Sequence, residues 1–115
     1  MPLQNRFRED YGRWMAPVDF TVWMAVRSVG EAATRTRSTD PSAIADYIRS
    51  DKFELAAFKG RKLTYRDWNG QLRQPVLLAA ARSMVSVSPQ TGYLHQVSEL
   101  DTMGFDRPES GCRLE

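Results

Sequence analysis

Apolar positions recur with a helical period in the first half of the chain and alternate in the middle. Leu3, Phe7 and Tyr11 fall at i, i+4 and i+8, which predicts a short helix over 3–13. Gly12 and Pro17 interrupt it, and Pro17 suits the first turn of a second helix over 18–36. That helix has two apolar sides. Val22, Val26, Val29 and Ala33 make a continuous stripe, whereas Phe20, Trp23 and Met24 lie nearly opposite, over the first half only. A helix in a two-layer domain needs one buried stripe. The valine stripe is the expected core face, and the aromatic side is a surplus that some other surface must cover.

Arg35–Thr39 is polar and reads as a loop. Thr39 or Asp40 caps a third helix over 40–50, with Pro41 in its first turn and Ile44, Tyr47 and Ile48 on its core face. The stretch 51–58 fits neither period. From 58 to 88 strands are predicted. Leu63 and Tyr65 alternate with Lys62, Thr64 and Arg66, and Asn69-Gly70 offers the two positive-φ residues of a tight hairpin turn. Val76-Leu77-Leu78 is apolar on successive residues and is expected to be covered on both faces. Ala79–Ala81 leaves a helix over 75–84 open, while the Val-Ser alternation from Val85 favours strands. Residues 90–115 show little periodicity and read as an irregular tail, wrapped on the surface or partly disordered.

Composition narrows the class rather than the function. With 115 residues, 42% apolar and 26% charged, the chain suits one small domain or a piece of a larger one. Sixteen basic against 14 acidic residues give a formal +2, too mild to imply nucleic acid or an anionic membrane. A single cysteine excludes an internal disulfide and a cysteine-based zinc site within the chain. The apolar runs are too short for a membrane span, and the N-terminal stretch lacks the apolar core of a secretory signal.

Candidate chemistry is sparse. His95, the lone histidine, has Glu99 four residues on, but reads as structural or solvated rather than catalytic. Cys112 has no nearby base in sequence and reads as an inert thiol or half of an intermolecular disulfide. Glu99, Asp101, Asp106 and Glu109 match no calcium-loop spacing, and Arg107 sits among them, so they read as a solvated surface. No catalytic residue, metal ligand or cofactor is assigned. The suggestive patch is the basic hairpin 59–73, where Lys59, Arg61, Lys62, Arg66 and Arg73 surround Tyr65 and Trp68, with Asp67 the single acid. Such interleaving suits a single-stranded nucleic-acid platform, though a solvated strand face whose charges discourage edge pairing is the plainer reading.

Several segments share one resemblance. Asp19–Arg27 (DFTVWMAVR), Gly30–Ala32, Ser38–Pro41, Phe53–Gly60 (FELAAFKG), Trp68–Pro75 (WNGQLRQP), Ser98–Thr102 (SELDT) and Asp106–Ser110 (DRPES) follow one another in order over nearly the whole chain. Together they resemble the C-terminal end of the substrate-binding component of ABC transport systems linked to PQQ-dependent alcohol dehydrogenases. That family is similar to branched-chain amino-acid binding proteins, of the type I periplasmic binding fold. The resemblance implies an α/β fold and a non-catalytic protein with no cofactor. It implies two lobes that close over a small ligand, a permease partner, a periplasmic location, and neither membrane insertion nor nucleic acid. Residues 1–89 would be part of a lobe and 90–115 its irregular tail. A full member is about three times this length, because two lobes of domain size are needed. The chain is thus expected to be a C-terminal fragment, whose aromatic helix face packs on a sheet outside it and which can self-associate when isolated. Ligand contacts in related proteins come mainly from other segments, so ligand-binding residues stay unknown.

Overall fold

A computed structural model describes residues 2–90, 95, 98–102 and 105–114. Three helices come first: α1 (Pro2–Tyr11), α2 (Pro17–Thr36) and α3 (Pro41–Arg49). Five short strands follow: β1 (Leu55–Ala56), β2 (Lys62–Tyr65), β3 (Leu72–Arg73), β4 (Val76–Ala80) and β5 (Ser83–Ser88). The tail contributes two 3-10 turns, Glu99–Thr102 and Arg107–Glu109. The chain is therefore a mixed helix and strand structure with helices before strands, and the helical alternative for 75–84 is not adopted. The strands form a three-stranded sheet in the order β1-β2-β3 and a separate β4-β5 ribbon. Every pairing between these strands is antiparallel.

The helices start where local chemistry satisfies their first backbone donors. Asp40 accepts a 2.9 Å hydrogen bond from Ala43 N, and Pro41 needs no partner for the N–H it lacks. α2 begins at Pro17, and the Asp19 carboxylate reaches back to accept from Ala16 N at 2.7 Å. It also takes a two-pronged ion pair from Arg13 at 2.7 and 2.9 Å, which ties the α1–α2 linker to the helix. These donors push the Asp19 carboxyl down to about 2, the Arg13 hydrogen bond first and the Ala16 N–H second.

The core corrects the expected orientation of α2. Met24, Ser28 and Ala32, at i, i+4 and i+8, are buried, and Phe20 and Trp23 pack beside them against Phe53, Leu55, Ala57 and Leu63. Val18, Val22, Val26 and Val29 are 65, 56, 68 and 50% exposed. The two faces lie on opposite sides of the helix as expected, but the aromatic one is the core face. Two effects select it. Phe20, Trp23 and Met24 remove more apolar area from water than three valines can. Ser28, which breaks the apolar run on that side, is no penalty there. Its hydroxyl donates to Met24 O at 2.8 Å, which leaves Tyr65 Oη, also 2.8 Å away, to donate to it.

The hairpin also departs from expectation. Thr64 pairs with Arg73 and Tyr65 with Leu72, and Arg66 N donates to Gln71 O at 2.8 Å. The loop is thus four residues, 67–70, rather than the two of a tight turn. Gly70 alone takes positive φ, at 70°, and its N–H donates to Arg66 O at 3.0 Å. Asn69 instead uses its side chain, whose Oδ1 accepts from Gln71 N at 3.0 Å. Val76, Leu77 and Leu78, expected to be covered on both faces, are 39, 45 and 50% exposed, because the ribbon pairs only with itself. An irregularity in register between Leu78 and Ala79 adds local twist to it.

Gly70→Ala should therefore destabilise the chain by more than about 1 kcal/mol, since an L residue is strained at positive φ. The added methyl would also stand 3.0 Å from Leu114 Cδ1. Asn69→Ala should cost less, about 0.5–1 kcal/mol for one exposed hydrogen bond. Paired urea melts would measure both, and equal costs would contradict this loop geometry.

Candidate functional site

Two of the basic hairpin's cations, Arg66 and Arg73, turn inward, whereas the Arg61 and Lys62 side chains stay at the surface. Arg66 is 1% exposed. Its Nε donates to Asp101 Oδ1 at 2.6 Å and its Nη2 to Asp101 O at 3.2 Å. Its Nη1 donates to Phe105 O at 2.7 Å and Gln71 Oε1 at 3.2 Å. Arg73 Nε lies 2.8 and 2.9 Å from the two Asp101 oxygens, and its Nη1 donates to Tyr65 O at 2.8 Å. One carboxylate from the tail thus joins two guanidiniums from the sheet. Trp68 covers the Arg66 guanidinium at 5.3 Å, and Leu114 N donates to Trp68 O at 3.1 Å. The tail is consequently held through Asp101 and Leu100, both buried. Sequence reading placed Asp101 on a solvated surface. The signal it missed is that Arg66 and Arg73 flank the turn and meet at one point once the strands pair.

The other charges are also used locally. Lys62 pairs with Glu54 at 2.6 Å, and Arg61 pairs with Glu99. His95 Nε2 lies 2.8 Å from Asp106 Oδ2. The His95 hydrogen bond, then Arg107 N, hold the Asp106 carboxyl below its ordinary range. Glu109 accepts from Asp106 N at 3.1 Å, closing the last turn. Cys112 is an exposed free thiol. Among the described residues no three His, Cys, Asp or Glu side chains gather as metal ligands, and no helix is long and apolar enough to cross a membrane.

Three concavities stand out among the described residues. A polar cleft of about 450 Å³ lies between α3 and the sheet, with Arg49, Asp51, Thr64, Asp67 and Arg73 on its walls. An apolar groove of about 490 Å³ runs between α1 and the valine face of α2, lined by Leu3, Phe7, Tyr11, Val18, Val22 and Val26. The third, about 420 Å³, is enclosed by Phe20, Phe58, Lys59, Gln74, Pro75 and Leu77. Phe58 there holds a left-handed φ of 58° that costs a non-glycine residue about 1 kcal/mol or more.

Compared with protein-family models, with curated proteins and with solved structures, the chain matches none.

The Asp101 centre is the strongest polar construction among the described residues, and its electrostatics set an acid limit. Burial alone would raise the Asp101 carboxyl pKa. Hydrogen bonds from Arg73 and Arg66 outweigh it and hold the group below the ordinary 3.8. Because the folded pKa is depressed, its contribution is complete well above 3.8 and is lost as the pH falls through the folded value. Asp101→Ala should cost about 3 kcal/mol, because it leaves Arg66 buried without its anion. Asp101→Asn should flatten the acid limb of the stability–pH curve. Urea midpoints between pH 2 and 7 would check both, and an unchanged acid limb would show that other carboxylates carry it.

Proposed function

We propose that this chain is the C-terminal section of the solute-binding component of an ABC transport system linked to PQQ-dependent alcohol oxidation. It acts without catalysis. In the intact protein two α/β lobes of the type I periplasmic binding fold close over a small ligand, and the closed form is recognised by a permease. The observation that carries this reading is the ordered run of resembling segments from Asp19 to Ser110, with compatible spacing throughout.

The geometry adds support. An α/β lobe of that kind rests on parallel strands with helices on both faces. The described strands are antiparallel and the sheets small, so the described residues do not by themselves form such a lobe. A section of one should show apolar surface where it met its neighbours. The valine face of α2 and the β4-β5 ribbon, with Leu77, Leu78, Met84 and Val85 exposed, have that character. The aromatic face of α2, expected to pack on a sheet outside the chain, is instead covered by the chain's own Phe53, Leu55 and Leu63.

An antibody raised against residues 98–114 should detect, in the osmotic-shock fraction of the source cells, a species about three times the 13.1 kDa of this chain. Disruption of its gene should lower uptake of the transported solute and growth on primary alcohols. A 13.1 kDa species alone, retained with the cell body, would overturn the proposal. The isolated chain should self-associate, and a Val22→Ser/Val26→Ser variant should scatter light as a smaller particle. A wild-type monomer that binds no apolar dye would count against a covered valine face.

A further inference from the structure

The geometry points to a binding site for a small monocarboxylate with an apolar tail, formed by Lys59 and the aromatic wall of Phe20 and Phe58. The concavity, about 420 Å³, falls within the size range of small-ligand pockets. Its walls are apolar on three sides: Phe20 and Phe58 from the helix and the 53–60 stretch, Pro75 below, and Val76 and Leu77 from β4. Trp23 backs the aromatic wall, stacked at 5.6 Å on Phe20 and 5.9 Å on Phe58. At the polar end stands one cation. Lys59 Nζ donates to the neutral amide of Gln74 at 2.7 Å and lies 5.7 Å from the Phe20 ring centre.

Charge distinguishes this lysine from its neighbours. Lys62 and Arg61 hold Glu54 and Glu99, and Arg66 and Arg73 hold Asp101. Among the described residues no carboxylate is paired with Lys59. Partial burial lowers its amine pKa, so the ammonium is desolvated without a compensating anion. An added carboxylate would supply that anion, while Gln74 and the Phe20 face fix where the ammonium sits. Phe58 gives a second, independent sign. It is 58% exposed, in the left-handed region at φ 58°, where no glycine relieves the backbone. The outcome is a large ring held over a cavity rather than in the core.

Size selects the tail. Apolar walls on both sides of an open groove suit an unbranched or aryl tail of roughly four to eight carbons, with the carboxylate at the Lys59 end. A free alcohol would lose the ion pair, and an amine would meet a like charge. The site is built from residues 20–77 and does not depend on the proposed parentage of the chain.

Equilibrium dialysis of the full chain against labelled hexanoate, with sodium chloride holding ionic strength constant, tests this directly. Hexanoate should bind at least tenfold more tightly than hexanol, and hexylamine should not compete. Lys59→Met should remove that preference of hexanoate over hexanol. Leu77→Asp, on the exposed ribbon, should weaken hexanoate at least tenfold by placing a like charge at the mouth. Equal binding of hexanoate and hexanol by the wild-type chain would overturn the site whatever the variants do. Retained preference in Lys59→Met would overturn the role of Lys59.

Discussion

A single carboxylate shared by a buried guanidinium, Arg66, and a half-buried one, Arg73, fixes how this chain closes on itself. The three-stranded sheet is small: β1 and β3 have two residues each, and the strand between them has four. Pairing alone would not hold so short a sheet in one register. Arg66 leaves the end of β2 and Arg73 the end of β3, and both must find an anion because neither can lose its charge. Asp101 satisfies both, and the 3-10 turn that carries it brings Leu100 into the core beside it. The backbone carbonyls of Tyr65, Phe105 and Asp101 take the remaining guanidinium protons. An apolar replacement of the whole cluster could be as stable. What the charges add is directionality, since the Asp101 carboxylate meets both guanidiniums in the one tail placement described.

The helical half was legible because its start signals are local. Pro17, Asp40 and Pro41 set the beginnings of α2 and α3 through backbone chemistry that depends on a few adjacent residues. The existence of two opposed apolar faces on α2 was equally legible from spacing. Which face is buried was not, because periodicity ranks continuity and the fold ranks area. The valine stripe is longer, but Phe20, Trp23 and Met24 meet the Phe53–Leu63 cluster, and Ser28 finds Tyr65 across the core. That hydroxyl pair spans 37 positions of sequence, and no local pattern announces it.

The strands and the tail were less legible for the same reason. Asn-Gly suits a two-residue turn in isolation. Here the Arg66–Gln71 bond and the pairing of Tyr65 with Leu72 widen it, so Asn69 serves through its side chain and only Gly70 needs positive φ. In the tail, four acids without a recurrent spacing read as solvent-facing. Three of them make ion pairs: Asp101 with the two arginines, Asp106 with the histidine, Glu99 with an arginine. Their partners lie on other elements or across the tail, so spacing carried no trace of them. Charge census would have served better than spacing, since a basic hairpin and an acidic tail in one nearly neutral chain are complementary.

Two kinds of exposed apolar surface remain, and they call for different explanations. The valine face of α2 and the β4-β5 ribbon are broad and carry no buried charge, so contact with another apolar surface would satisfy them fully. The cavity under Phe58 would not be satisfied that way. Covering it with a purely apolar partner would desolvate the Lys59 ammonium further and leave Gln74 as its hydrogen-bond partner among the described residues. An occupant must therefore bring an anionic group as well as apolar area. The burial rule that would let any apolar surface satisfy the first two makes the third suited to the proposed small amphiphilic acid.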